Sequence, residues 1–298
     1  MSNNSLTSGD APFIPHKDTP DWFLDNIKHQ GESLYATVDG YKVHFLAWNL
    51  DEKALPVLMF VHGFGGSTYW WDFLVPFFTD RYRVVAVDLP GMGKSEGLPD
   101  YHDECFARGI LGVIEEYSLA PLTITGHSYG GIQSMYAMTL QPDFFHHGII
   151  IDCNLWFPQS KPNGVDMAVR PHKRRSSRQE CIAKFSLMPP QPEALDFLMD
   201  YVAYHACTSD ESGWFWTSDY RTRTANLITD AELLTHIPVR VDCIFGERSI
   251  YNKPDLRDAA EQVFPNFGRL IIVPDAYHHI ALDHPLELVD SLRQLLAG

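Results

Sequence analysis

The stretch TGHSYGG, Thr125 to Gly131, sets a serine between glycines, with the strand-like run LTI before it and a helix-compatible stretch after it. A G-x-S-x-G in that strand-turn-helix setting lifts its hydroxyl out of a sharp turn, so Ser128 is the candidate nucleophile. Gly126 and Gly130 suit the turn, where permissive backbone angles are needed and close helix-strand packing leaves no room for a Cβ. The helix start that follows directs N–H groups and a positive dipole end toward charge developing near Ser128. A second Gly-rich segment, VHGFGGS (Val61 to Ser67), also follows an apolar run. Such a loop can turn backbone donors toward an oxyanion, and the expected pair is the N–H of Phe64 and the N–H of Tyr129. A third segment, DAYHHIALDHP (Asp275 to Pro285), offers His278 or His279 as a general base. Imidazole, with an ordinary pKa of about 6.5, can accept the serine proton and return it to a leaving group.

Positioning these groups requires loops that converge from separate strands. Short apolar runs at 57–61, 84–88, 122–126, 148–152, 239–245 and 269–274 are apolar on both faces, which suits buried parallel strands. Helix-compatible stretches at 103–117, 130–140, 254–264 and 285–296 lie between or after them. This alternation predicts an α/β fold with a mostly parallel central sheet flanked by helices. Upstream, SLYATVDGYKVHFLAWN alternates around Asp39-Gly40 as an antiparallel hairpin would. The alternation fails between Asp152 and Pro238, which read as helices and loops with no convincing strand pair. We expect core residues 1–153 and 238–298, with 154–237 inserted as a helical cap over the strand ends where ligands bind in open α/β sheets.

Composition narrows the function classes. With 298 residues, 45% hydrophobic and 20% charged, the chain can bury a sizeable core. A net charge of -15 and a pI near 5.3 oppose general attraction to nucleic-acid phosphates or anionic lipid. The basic run RPHKRRSSR (Arg170 to Arg178) reads as a solvated face or an anion-binding patch. Neither a secretory signal nor a membrane-spanning run of about 18 apolar residues is evident, so a cytoplasmic location is expected. Five scattered cysteines suggest neither a disulfide framework nor a zinc site, and Cys153 and Cys243 read as buried thiols.

The His62-Gly63 loop, DLPGMGKS (Asp88 to Ser95), GHSYGG and HHIALDHP, in that order, resemble the α/β-hydrolase superfamily in its cap-containing branch, from about Tyr35 to the end. The resemblance implies a base seven residues before Pro285, which is His278, and a structural rather than catalytic Asp88. It also implies an acid in a G-x-x-D turn after the strand VRVDCIF, where this chain has Ser249. Some members, including haloalkane dehalogenases of one type and fungal lactonases acting on zearalenone, carry the acid at the end of the strand following the nucleophile's. That strand is GIIID here and ends in Asp152, with Glu247 and Asp255 as the alternatives. A serine at the elbow suits attack on an acyl carbon. The expected function is therefore hydrolysis of a small-molecule carboxylic ester or lactone through an acyl-enzyme, without metal or cofactor and with neither nucleic acid nor membrane as partner. Hydrolysis of carbon-carbon bonds in ring-cleavage products and a binding role without turnover are the alternatives. Trp156, Trp214, Phe215 and Trp216 could wall an apolar substrate pocket or pack the cap itself.

Overall fold

The computed structural model describes residues 12–102, 104–155, 170–224 and 237–297. Its centre is the strand β3 (Val57–Val61), which is buried along its whole length. Alternation sends Val57, Met59 and Val61 into one apolar core and Leu58 and Phe60 into a second core on the opposite face. A strand apolar on both sides must be covered on both sides, and that requirement organises the layers. On the first face lie α2 (Cys105–Glu116) and α3 (Tyr129–Leu140). On the second lie α1 (Asp21–Asn26) and the C-terminal helix Pro285–Leu296.

The hairpin β1 (Glu32–Val38) and β2 (Tyr41–Trp48) turns at Asp39 and Gly40, both at positive φ (+51° and +88°). Two successive left-handed residues match the twist of a two-residue hairpin. The remaining sheet strands are β4 (Arg83–Val87), β5 (Leu122–His127), β6 (Phe145–Ile151), β9 (Arg240–Gly246) and β10 (Phe267–Val273). Their order is β1-β2-β4-β3-β5-β6-β9-β10. Pairing is parallel from β4 through β10, and only β2 runs against its neighbours. The six apolar runs therefore became strands, with ends displaced by at most three residues.

The insert between β6 and β9 differs from expectation. Its described part contains α4 (Arg178–Ile182) and α5 (Asp196–His205), but also an antiparallel ribbon of β7 (Cys207–Asp210) and β8 (Gly213–Trp216). Four-residue strands, one of them Cys-Thr-Ser-Asp, are too short and too polar to signal themselves by alternation. Gly213 at φ +118° closes the turn, and Arg175 exchanges backbone hydrogen bonds with Trp214, each 2.9 Å long. The basic run is used locally. The guanidinium of Arg174 lies 3.4 Å from the ring centre of Phe215 and pairs with Asp210, while Arg178 covers Tyr204 and Trp214.

Contacts dock the insert on the loops at the strands' carboxyl ends. The Tyr201 hydroxyl donates to buried Asp72 at 2.5 Å, and the ring of Tyr69 stacks on His205 at 3.6 Å. Leu195 N–H donates to the Leu282 carbonyl, and Asp219 N–H to that of Gly91. All five cysteines are buried, and none forms a disulfide. Among the described residues, no helix is long and apolar enough to cross a membrane.

Candidate active site

β5 ends at His127, and the chain reverses through Ser128 into α3. Ser128 sits at φ +53° and ψ -121°, a strained conformation for a residue with a Cβ. It is held there by its N–H donating to the Ile151 carbonyl at 2.9 Å, while its own carbonyl accepts from Gly131 at 2.9 Å. The flanking glycines are steric necessities. A Cβ on Gly126 would lie 2.5 Å from the Gly130 carbonyl oxygen, and one on Gly130 would lie 2.3 Å from that of His62. The result is a serine side chain left half-buried at the sheet's carboxyl edge, on a backbone that is otherwise buried.

From Ser128 a hydrogen-bonded chain runs inward. His278, in the loop after β10, places Nε2 3.0 Å from Ser128 Oγ and Nδ1 2.8 Å from Asp152 Oδ1. Asp152 follows β6 directly, at φ +43°, with its N–H donating to the Ile244 carbonyl of β9. Its carboxylate is fully buried and supplied with further donors: Gly246 N–H reaches Oδ2 at 2.7 Å, and the Ser249 hydroxyl reaches Oδ1 at 2.5 Å. Ser249 thus occupies the turn position where the resemblance implies an acid, and donates to the Asp152 carboxylate. Sequence reading marked Ser249 as a departure but missed it as a partner; its place in the G-x-x-D turn was the available signal.

Burial sets the protonation states. It lowers the His278 imidazole to about 4, so the ring rests neutral near pH 7. It raises the Asp152 carboxyl to about 7, with the Ser249 and Gly246 hydrogen bonds acting the other way. Donors from Gly246, Ser249 and His278 fill both oxygens, an arrangement that accommodates the ionised form. His278 then keeps its proton on Nδ1 and turns the Nε2 lone pair toward Ser128.

Surrounding groups fix this geometry. His127 Nε2 donates to the His278 carbonyl at 3.0 Å, and the ring of Tyr251 packs edge-on against the His278 ring. His62 is buried and anchors the glycine loop before Phe64. Its Nε2 accepts from Leu89 N–H at 3.1 Å, which leaves Nδ1–H to donate to the Gly63 carbonyl at 2.7 Å. Phe64 is exposed beside this loop, with its ring edge-on to Tyr129 at 5.4 Å. Tyr129 itself directly follows Ser128 in the chain.

The other candidates lie as follows. His279 is turned to the insert, its N–H donating to Gln191 Oε1 and its Nε2 to the Pro189 carbonyl. Glu247 accepts from Asp275 N–H, and exposed Asp255 precedes the helix Leu256–Val263. Buried Asp242 meets His147, Arg240 and Arg269 instead. Asp88 accepts from Thr68 N–H, Lys94 N–H and His44, tying its own loop. Trp214 and Trp216 are half-buried on β8, against Arg178 and against Arg175 and Phe185 respectively, all residues of the insert. Trp156 lies outside the described residues. The imidazoles of His127, His278 and His279 each offer a nitrogen within 4.8 Å of the others, the group among the described residues that could converge on a metal ion. The hydrogen bonds given above already engage nitrogens of all three rings.

A mostly parallel sheet with a strained serine turn at its carboxyl edge and a helical insert above defines an α/β hydrolase. The sequence profile of that family matches residues 58–291, and the chain belongs to the alpha/beta hydrolase family. It is similar to Epoxide hydrolase 3 of Xenopus tropicalis, with 22% identity over 309 residues, covering 95% of this chain and 82% of that one. It is also similar to the sn-1-specific diacylglycerol lipase ABHD11 of Mus musculus, with 24% identity over 271 residues and 85% of each chain covered. Among solved structures, a thioesterase domain from the curacin biosynthetic pathway superposes with a TM-score of 0.72 at 21% identity, over 88% of this chain and 99% of that one.

Proposed function

We propose that this protein is a serine hydrolase that cleaves a carboxylic ester or lactone through an acyl-enzyme. The observation that carries this reading is the unbroken chain from Ser128 Oγ through His278 to Asp152, with links of 3.0 and 2.8 Å. Ser128 attacks the acyl carbon while His278 Nε2 takes its proton, and Asp152 stabilises the imidazolium that forms. The N–H groups of Phe64 and Tyr129 receive the charge on the acyl oxygen. His278 then protonates the leaving alkoxide. Water, deprotonated by the same nitrogen, releases the acid. An epoxide-opening route through an alkyl-enzyme ester needs a carboxylate at the elbow, where this chain has Ser128.

A short-chain p-nitrophenyl ester tests the proposal. We expect a burst of p-nitrophenol stoichiometric with protein, and acylation of Ser128 detectable by peptide mass mapping. Ser128→Ala removes both. Turnover that survives Ser128→Ala, or a wild-type protein that neither releases p-nitrophenol nor labels at Ser128, refutes it.

A further inference from the structure

We propose that Ser33 is a second activated serine, an acceptor of acyl or phosphonyl groups from electrophilic esters, remote in sequence from the Ser128 turn. Ser33 lies exposed on β1, and its Oγ is 2.8 Å from Nε2 of His44, a fully buried residue of β2. His44 Nδ1 is 2.7 Å from Oδ2 of buried Asp88. The order of groups and the distances reproduce those of Ser128, His278 and Asp152. Asp88 also accepts from the N–H of Thr68 at 2.6 Å and of Lys94 at 2.8 Å. A carboxylate filled with donors in this way makes His44 Nδ1 a donor too, so Nε2 turns its lone pair to the Ser33 hydroxyl. Holding β2 to the Asp88 loop accounts for His44 and Asp88. It does not account for an exposed hydroxyl at the end of the chain.

Strand parity adds a backbone donor. Thr37 N–H donates to Glu116, and the Tyr35 carbonyl accepts from Tyr117, so these residues of β1 direct their polar groups away from β2. Ser33 shares their parity, and β1 is the first strand of the sheet, so its N–H faces the open edge. In the reaction, Ser33 Oγ forms a bond to the acyl carbon as the bond to the leaving oxygen breaks, or to the phosphorus of a fluorophosphonate as the P–F bond breaks and fluoride leaves with the proton. The hydroxyl proton passes to His44 Nε2 and from there to the leaving alkoxide. A positioned base contributes on the order of 10² to 10⁴ in rate, so Ser33 should react well above ordinary surface serines.

The test uses full-length Ser128→Ala protein treated with p-nitrophenyl acetate or a fluorophosphonate, then digested and mapped by mass spectrometry. Exposed Ser186 and Ser212 serve as internal references, the latter donating directly to Asp210 with no imidazole between. We expect an adduct on Ser33 at least tenfold above either reference, lost in Ser128→Ala/Ser33→Ala and reduced to the reference level by His44→Gln. Should His44→Gln fail to fold, the comparison within one digest decides. A Ser33 adduct no more abundant than those on Ser186 and Ser212 overturns the proposal. The outcome is independent of whether Ser128 labels in the wild-type protein.

Discussion

An imidazole that takes a proton from Ser128 becomes a buried cation, and its fate rests on the carboxylate at its other nitrogen. Asp152 holds that place, so Asp152→Asn should lower kcat by on the order of 10⁴, whereas Asp255→Asn should leave it within about twofold. The reverse pattern in steady-state kinetics would reassign the acid. Ser249→Ala withdraws one donor from Asp152 and should cost about tenfold in kcat, near the ~1.5 kcal/mol of one hydrogen bond to a charged group. The acid limb of kcat/KM is a further residue-scale expectation. As the proposed base, His278 acts only when neutral, and burial lowers it to about 4, so activity should persist below the ordinary histidine value before falling with acid. A limb centred at or above pH 6.5 would show that the Asp152 charge outweighs burial.

At the scale of elements, the site depends on how closely α3 approaches β3 and β5. The Gly130 Cα lies against the end of β3, where an added methyl would meet the His62 and Val61 carbonyl oxygens at 2.3 and 2.6 Å. Both are backbone atoms and cannot swing away, so Gly130→Ala should destabilise by at least about 3 kcal/mol in denaturant unfolding and disable Ser128. A variant of wild-type stability would mean that the elbow relaxes more freely than this packing allows. β6 and β9 form the other half of the scaffold. Their parallel pairing brings Asp152, Gly246 and Ser249 to one edge, which is why an acid can stand at the end of either strand and face the same loop.

Across the whole molecule, protonation couples the site to stability. Burial lowers His127 and His205 to about 3, His278 to about 4 and His279 to about 2. In the unfolded chain each takes up a proton near its ordinary value of about 6.5, so their contribution is full above that pH and is lost as pH falls below it. Asp72, raised to about 7 by burial, acts in the opposite sense: the native state keeps its proton from pH ~4 to ~7. Four imidazoles against this one carboxyl leave the unfolded state with more bound protons at pH 5, so Tm should fall between pH 7 and pH 5. A Tm that rises over that interval would show these imidazoles to be protonated in the native state.

Local signals made much of this protein legible from its sequence. Runs apolar on both faces can only be buried strands or buried helices, Asp39-Gly40 marks left-handed backbone, and Gly126 and Gly130 mark places where a side chain does not fit. These depend on near neighbours, so composition and period are enough to locate the sheet and the serine turn. The β7–β8 ribbon escaped because its strands are short and owe their place to arginines stacked on aromatic rings. The preference for Asp152 over Glu247 and Asp255 rests on the family resemblance rather than periodicity, and the donation from Ser249 and the alignment of Ser33, His44 and Asp88 lie beyond both. The partners His278 and Asp152 are 126 positions apart. A hydrogen bond reaches about 3 Å, and which side chains come that close is decided by where the strands end in space.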